Sequence, residues 1–381
     1  MYVINPPTPV QLEHLTPSIY EASLKCLAKS VWYAFGQRGV VPENPAGILG
    51  TSFHSVLEAA NRGILSPNRA DARKQFDSAA LSQYERAHPL LKLKFPSYQR
   101  LPYYNFRREQ AVLLATHIAE MRRPSSGTIA SITGNSSSTD THTESRLCSI
   151  DGMIVGRPDY INRALHAVID YKSGYVDRPQ LEEVSDSEGR QLRLYAYLAN
   201  ENGIQVNRAV IVRGEGQHCE IEISSDEAYQ EAFNARQQLQ TLNTAIADQA
   251  DFDRLASPSA ENCRACPCIS FCDSFWSCSE PGWNTDCGSQ LEGEVQEVQS
   301  SQTQGISVST YLIEVCRGTV GCSQVSAEQI PDSWMTLDGA ELPEPGDIIR
   351  IVNGREAGNC DGRLLIKVDK ILTTIWQVKS E

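Results

Sequence analysis

The sequence predicts an α/β protein: a mixed β-sheet core with helical additions, followed by a small C-terminal β-barrel. Three observations support this prediction. Residues 16–123 show mostly helical spacing of apolar residues, residues 146–249 alternate strand-like and helix-like segments, and residues 291–381 consist of short strand-like runs separated by Gly and Pro. A chain of 381 residues is long enough for two domains, which we place at residues 1–285 and 286–381.

The N-terminal part is predicted to be helical. Residues 16–36 form one predicted helix, because Thr16 can cap it and apolar residues recur at helical spacing. A second helix is predicted from about Ile48 to Asn61, and residues 70–123 are mainly helical between prolines. The Ser/Thr/Gly-rich stretch from Ser125 to Thr143 is predicted to be a mobile loop, since its composition cannot bury a core.

The middle of the chain predicts the core sheet. Residues 146–161 have the pattern of a β-hairpin with a turn near Asp151-Gly152, and residues 164–174 that of a third strand. A helix over residues 190–200, two further strands and a long helix over residues 226–249 follow. Strands interleaved with helices predict the α/β core.

The last 91 residues, 291–381, predict a small Greek-key barrel of the OB type. The runs LEGEVQEV, ISVSTYLIEV, GDIIRIV and RLLIKVDKIL supply its strands. This tail carries 14 acidic and 7 basic residues and few aromatic ones. Contact with another protein is therefore at least as good an interpretation as binding of a single nucleic-acid strand, which OB barrels achieve with basic and aromatic groups.

The overall charge excludes one class of nucleic-acid binder. A formal net charge of -13 argues against a surface that is basic throughout. From Arg62 to Arg123, however, 12 Lys and Arg residues stand against 5 Asp and Glu residues, and this stretch could contact phosphates. A solvated helical face is an equally good interpretation for any one of these residues.

The chain shows no sign of a membrane segment or of secretion. No apolar run approaches the length of a membrane span, and the N-terminal residues lack the basic and apolar parts of a secretory signal. We therefore expect a cytoplasmic protein with no membrane partner.

A carboxylate–lysine motif lies in the predicted sheet: Pro158-Asp159, then ten residues, then Asp170-Tyr171-Lys172. Asp159 is predicted to end one strand, and Asp170 and Lys172 point to the same face of the next one. Two carboxylates can hold Mg²⁺ or Mn²⁺, which polarises a phosphodiester and lowers the pKa of a bound water. A lysine beside them can orient that water and offset charge in the transition state. Taken alone, the motif also fits an ordinary hairpin.

Two more elements favour the functional interpretation. Gln191 and Tyr195 share one face of the following helix, because they are four residues apart. His54 lies on a short predicted helix far upstream, and a neutral imidazole is a suitable third metal ligand. Glu58 lies four residues after His54 and could face the same site, although a salt bridge explains it better.

In this order, the motifs resemble the RecB-like branch of the PD-(D/E)XK nuclease superfamily, over roughly residues 16–275. The resemblance implies a restriction-endonuclease-like mixed sheet. It also implies a set of metal ligands: His54, Asp159, Asp170 and the backbone carbonyl of Tyr171. A further set would act on the phosphodiester or contact the DNA backbone: Lys172, Gln191 and Tyr195.

The cysteines form a second constellation. The chain has 12 of them, and without a secretory signal thiolate ligation explains a close cluster better than disulfides do. Cys263, Cys266 and Cys272 have the spacing C-x2-C-x5-C, with Cys268 between them. Three ligands leave a tetrahedral or cubane site incomplete, and Cys26 is the candidate for the fourth.

One cysteine before the core and C-x2-C-Pro-x4-C after it resembles the iron–sulfur site of AddB-like and CRISPR-associated RecB-like nucleases. The resemblance implies a structural [4Fe-4S] cluster on Cys26, Cys263, Cys266 and Cys272. Zinc is the alternative, since four thiolates suit it equally well. The extra thiols of Cys268 and Cys278 could substitute as ligands.

The resemblance thus implies a metal-dependent DNA nuclease, expected to be an exonuclease acting on single strands or on DNA with a free end. No Walker A motif is present, so we expect a helicase, a translocase or a CRISPR or other defence protein as partner. A catalytically silent DNA-binding scaffold is the first alternative, although every ligand and Lys172 are present. A redox or radical enzyme is the second, although radical chemistry requires an open iron and a fourth thiol is available here.

Overall fold

The computed structural model describes residues 1–381 except 38, 123–140, 144–145, 174–183, 214–216, 284–287, 361–362, 370 and 379–381. The loop predicted from Ser125 to Thr143 lies outside the described residues, apart from the backbone of its last three. In the described part of the chain, no helix is both long and apolar enough to cross a membrane.

The N-terminal region is helical, as predicted. Its helices are α1 (Pro17–Lys25), α2 (Leu27–Phe35), α3 (Pro45–Asn61), α4 (Arg69–Glu85), α5 (Pro89–Lys94) and α6 (Tyr104–Met121). The helices α3, α4 and α6 pack around the fully buried side chains of Phe53, Phe76 and Val112. The same apolar cluster continues to Tyr171, so α3 is held against the central sheet.

The prediction of one helix over residues 16–36 is wrong at a single residue. Cys26 has an extended backbone, with φ -157° and ψ 121°, so α1 ends before it and α2 begins after it. Its sulfur accepts a hydrogen bond from the backbone N–H of Ser257 at 3.4 Å. Because cysteine does not break helices by itself, this contact with a distant segment gives the break its physical reason.

The central sheet is mixed, which confirms the predicted fold class. The strands of this part of the chain are β1 (Thr141–Thr143), β2 (Leu147–Cys148), β3 (Val155–Gly156), β4 (Tyr160–Asn162), β5 (Ala167–Lys172), β6 (Arg208–Arg213) and β7 (Gln217–Glu222), of which all but β2 and β3 belong to the central sheet. The strand order is β1-β4-β5-β6-β7, in which only β5 and β6 are parallel among the described strands. The strands β2 and β3 form the predicted hairpin as a separate ribbon.

Two long helices, α7 (Asp186–Glu201) and α8 (Ser225–Asp248), complete the core. Each begins with a capping box, in which a serine and a glutamate three residues on satisfy both backbone donors. The crossover from β5 to β6 passes through α7, whose buried Leu192 and Leu198 pack in one cluster with Val168 of β5. The other face of β5 carries Ile169 and Tyr171 towards α3 and α6. The sheet is therefore covered on both faces, and α7 lies on the side of Asp170.

The C-terminal region is a closed barrel of the OB type, as predicted. Its strands are β8 (Ser289–Thr303), β9 (Ile306–Gly318), β10 (Gln324–Pro331), β11 (Ile348–Cys360), β12 (Arg363–Lys367) and β13 (Thr374–Val378), with the short helices α9 (Asp273–Cys278) before them and α10 (Asp332–Met335) after β10. The pairings run β8-β9-β10-β12-β11 and return from β11 to β8. Five strands thus close a barrel around a core that includes Val295, Tyr311 and Ile349. The sequence patterns did not predict β10 and β13.

Arg350 of β11 connects the barrel to the cysteine-bearing segment. Its guanidinium is buried and lies 2.7 Å from the Glu292 carboxylate, and it donates to the Ser270 carbonyl at 2.9 Å. A further nitrogen donates to Asp273 at 2.8 Å, and the guanidinium lies 5.1 Å from the ring centroid of Trp276. One side chain therefore joins two parts of the chain that are about 80 residues apart.

We expect Arg350→Met to lower the free energy of unfolding by about 3–5 kcal/mol, because it leaves the buried Glu292 carboxylate without its main cation. Arg317 lies 3.5 Å from the same carboxylate but is half exposed, so it compensates only in part. Urea denaturation followed by circular dichroism measures the effect. The matched control is Arg355→Met on the same strand, whose side chain is exposed. Equal stability of both variants would contradict the anchoring role of Arg350.

The first residues of the chain and α5 also contact the barrel. The N–H of Val3 donates to the carbonyl of Gln377 at 2.9 Å, and the N–H of Gln377 donates to the carbonyl of Met1 at 2.7 Å. Lys94 of α5 is buried, donates to the Thr373 carbonyl and lies 4.6 Å from the ring centroid of Trp334. Burial lowers the pKa of Lys94 to about 7, against the opposing charge of Asp369.

Lys94→Met should remove a pH dependence of stability. An unfolded lysine titrates near 10.4, about three units above the pKa of buried Lys94. Between pH 7 and 10 the unfolded chain therefore binds a proton that the folded chain lacks, and stability rises with pH. We expect the variant to exceed the wild type in melting temperature at pH 7 and the difference to shrink towards pH 9. Lys74→Met, at an exposed lysine of α4, is the control; a pH-independent difference for Lys94→Met would contradict the expectation.

Candidate active site

Asp159 connects the helical region to the sheet. It lies directly before β4, rather than at the end of a strand as the pattern predicted. One carboxylate oxygen is 3.1 Å from Nδ1 of His54, in the middle of α3, and the other accepts the backbone N–H of Tyr171 at 2.8 Å. The hydroxyl of Tyr171 accepts a hydrogen bond from Asn61 of α3 at 3.1 Å. These contacts hold α3, the start of β4 and β5 together around one carboxylate.

The second carboxylate lies on the α7 side of β5. Nζ of Lys172 is 2.8 Å from Asp170 Oδ2 and donates to Gln191 Oε1 at 3.1 Å. The amide nitrogen of Gln191 donates to Asp170 Oδ1 at 3.3 Å and to the hydroxyl of Tyr195 at 3.1 Å. The period of two in β5 and the four-residue spacing in α7 place these four side chains next to one another.

The electrostatics of the site disfavour an ionised carboxylate at Asp170 in the absence of a bound cation. This residue is only 4% exposed, and burial raises the pKa of its carboxyl, with Lys172 opposing the effect. For His54, burial lowers the pKa, but the hydrogen bond and charge of Asp159 outweigh it, so the pKa is raised overall. Negative charge is thus concentrated in a partly desolvated place, where a bound cation compensates it.

The donor set fits a hard divalent cation: two carboxylates, one imidazole and the carbonyl of Tyr171. Asp170 Oδ2 is buried and accepts no hydrogen bond from the described residues. This oxygen lies 2.8 Å from Nζ of Lys172, but the two groups are not aligned for a hydrogen bond. A lone pair of Asp170 Oδ2 is therefore available for a cation. Within the described ranges, no three His, Cys, Asp or Glu side chains already stand close enough to hold a metal ion.

Glu58 does not take part in this cluster. Its carboxylate is 2.5 Å from Arg62 and 3.8 Å from Arg157. The salt bridge that the sequence favoured for Glu58 is the arrangement found.

The cysteines form a separate cavity beneath α2. Its volume is about 20 Å³, and the thiols that line it are those of Cys26, Cys263, Cys266, Cys268 and Cys272. The structure thus brings together all four predicted ligands and adds Cys268, whereas Cys278 lies exposed on α9. None of the five cysteines that line the cavity forms a disulfide.

Three thiols of this cavity, those of Cys263, Cys268 and Cys272, are costly to ionise without a cation. Burial raises the pKa of Cys263 to about 11 and also raises that of Cys272. The hydrogen bond between Cys266 and Cys268 lowers the pKa of Cys266 to about 7 and raises that of Cys268. Thiols are ligands that suit a thiophilic metal, whose positive charge would stabilise the thiolates. Among the described residues, however, no three of these thiols stand close enough together to hold a metal ion.

The fold and the clustered side chains together define a class of protein. Its mixed α/β core carries Asp159 before one strand, Asp170 and Lys172 on the next strand, and Gln191 and Tyr195 on the helix that follows. A sequence model described as the PD-(D/E)XK nuclease superfamily matches residues 14–273, and the chain belongs to this superfamily. Its members are generally metal-dependent nucleases that use Mg²⁺ or Mn²⁺. The superfamily level of the sequence-based resemblance is thereby confirmed.

Two other comparisons add little. No curated protein matches the chain. The solution NMR structure of the OB domain of Ta0387 from Thermoplasma acidophilum is similar at 19% identity and a TM-score of 0.15, covering 24% of this chain and 76% of that one. A likeness this weak carries no weight, and the strand pairings alone define the barrel.

Proposed function

We propose that this protein is a divalent-metal-dependent DNA nuclease of the RecB-like branch. The observation that carries the proposal is the convergence of Asp159, Asp170, Lys172 and Gln191, which come from three separate segments of the chain: the start of β4, β5 and α7. Hydrogen bonds and ion pairs of 2.8–3.3 Å connect Asp170, Lys172 and Gln191. Asp159 is tied to the same strand through the N–H of Tyr171.

In the proposed mechanism, His54, Asp159, Asp170 and the carbonyl of Tyr171 would hold Mg²⁺ or Mn²⁺. The ion, when bound, polarises the scissile phosphate and lowers the pKa of a water. Lys172 orients the attacking water and offsets negative charge that develops on the phosphate. Gln191 holds the ammonium of Lys172 in place, and Tyr195 donates a hydrogen bond to the phosphate.

The substrate we propose is DNA, either single-stranded or with a free end, cut as an exonuclease. The chain contains no Walker A motif, so an unwinding or translocating motor would come from elsewhere. We propose a helicase, a translocase or a CRISPR or other defence protein as partner, with the acidic barrel as its docking module. The pathway stays open between repair, CRISPR adaptation and antiviral defence.

We further propose a structural [4Fe-4S] cluster on Cys26, Cys263, Cys266 and Cys272, with zinc as the alternative. Five thiols around one cavity support this, and four of them are the expected ligands. The division into domains 1–285 and 286–381 is likewise a proposal. It is supported by the barrel closing on its own strands, although Met1 and Val3 pair with its last strand.

The test is cleavage of end-labelled single- and double-stranded DNA with Mn²⁺ or Mg²⁺, using protein purified without oxygen. Metal-dependent shortening of the labelled strand is the expected result, and the product ladder gives the polarity. Binding of DNA without any cleavage under these conditions would contradict the proposal and favour a silent scaffold.

A further inference from the structure

A second cavity lies directly beside the proposed catalytic residues. It has a volume of about 260 Å³ and is bounded by α1, α2 and the first turns of α7. Gln191 lines this cavity and also contacts both Lys172 and Asp170. The cavity therefore adjoins the proposed catalytic centre through Gln191. We call it the α1–α2 groove.

The groove presents positive charge. Lys25, at the end of α1, and Lys29, in the first turn of α2, both line it. Glu21 also lines it, but its carboxylate is held by the guanidinium of Arg190 at 2.5 and 3.0 Å. Since that pair cancels its own charge, the two lysines determine the sign of the groove.

An aromatic side chain lies next to the two lysines. Tyr33 of α2 lines the groove and is 51% exposed, which is unusual for a residue with so much apolar surface. An exposed aromatic ring beside cations is a combination that proteins use for single-stranded nucleic acid, because the ring stacks on an unpaired base while the cations contact phosphates.

We propose that the α1–α2 groove binds a single strand of DNA and leads it to the catalytic centre, with Lys25 and Lys29 on the phosphates and Tyr33 stacked on a base. The proposal rests on the nuclease function proposed above. A cavity of about 260 Å³ is small for a duplex, so the occupant that we propose is a single strand. A strand in this groove has its backbone directed at Gln191 and so at Lys172.

The helix α2 borders both the groove and the cysteine cavity. Lys29 lines both, and α2 begins immediately after Cys26. The position of Lys29 and Tyr33 therefore depends on where the thiols hold the start of α2.

Binding of a 5′-fluorescein oligothymidylate of about 12 nucleotides, measured by anisotropy in EDTA, tests the proposal. We expect Lys25→Ala/Lys29→Ala to weaken binding on the order of tenfold. The slope of log K against log salt should fall by about 1.4, since each lost phosphate contact contributes about 0.7 for a single strand. Tyr33→Ala should weaken binding at least about fivefold, whereas Tyr33→Phe should bind like the wild type.

The charge-matched control is Arg363→Ala/Lys367→Ala on β12, where both side chains are exposed and lie outside the groove. Hydrolysis of bis(p-nitrophenyl) phosphate with Mn²⁺ separates this proposal from the nuclease itself, because the small ester needs no strand path. The groove variants should hydrolyse it at the wild-type rate. Groove variants that bind and cut single strands like the wild type would overturn the proposal and leave the nuclease function intact. A wild type that hydrolyses neither DNA nor the ester would overturn the nuclease function instead.

Discussion

Lys172→Ala is expected to slow DNA cleavage by about three orders of magnitude, the scale of losing one preorganised electrostatic group together with the water it orients. The ammonium lies 2.8 Å from Asp170 and donates to Gln191 at 3.1 Å, so it is placed by two partners before any substrate binds. Initial rates on end-labelled DNA with Mn²⁺, at saturating protein, measure the loss. Lys367→Ala on the barrel, an exposed lysine, should leave the rate unchanged.

The stability of the variant Asp170→Asn separates a catalytic role of Asp170 from a structural one. Asp170→Asn should cut as poorly as Lys172→Ala, since it removes a proposed metal ligand. It should nevertheless melt at or above the wild-type temperature in EDTA, because burial raises the pKa of Asp170 and removing the buried charge removes its desolvation cost, while Lys172, which is 28% exposed, can be hydrated instead. A large loss of stability in EDTA would show that Asp170 holds the fold together. Full activity of either variant would show that the catalytic site does not depend on that residue.

Cys266→Ala is expected to eliminate the cluster and to lower the free energy of unfolding by about 3–5 kcal/mol, the scale of opening a very long cross-linked loop. The proposed ligands join residue 26 to residues 263–272, and metal bound there stabilises only the folded chain. Absorbance near the iron–sulfur bands, bound iron and zinc, and urea denaturation measure the effect together. Cys26→Ala should behave in the same way.

Two cysteine controls define the ligand set. Cys148→Ala, at an exposed thiol on β2, should keep both the metal and the stability. Cys268→Ala should keep the metal if the four proposed cysteines are the ligands, although Cys268 lines the same cavity. Loss of metal from Cys268→Ala, with Cys272→Ala retaining it, would show that Cys268 is a ligand in place of Cys272. Zinc without iron in anaerobically purified protein would show that the site binds zinc and not an iron–sulfur cluster.

The sequence by itself determined the fold class and the composition of the candidate site. The alternation of a strand is enough to put Asp170 and Lys172 on one face, and helical spacing is enough to pair Gln191 with Tyr195, because both patterns depend only on local backbone geometry. The superfamily follows from the same short motifs in their order along the chain. The spacing of Cys263, Cys266 and Cys272 likewise predicted three ligands of the proposed cluster, and the family resemblance added Cys26 as the fourth.

Only the tertiary structure decided how these parts meet. The break in the helix at Cys26, the barrel strands β10 and β13 and the anchoring by Arg350 each depend on contacts between residues far apart in the chain. The alternation of apolar and polar side chains in β10 is short, because the register shifts between Ala327 and Ile330, and pairing with β9 and β12 makes the segment a strand. The α1–α2 groove likewise exists only because α7 packs beside α1 and α2, which local sequence patterns cannot encode.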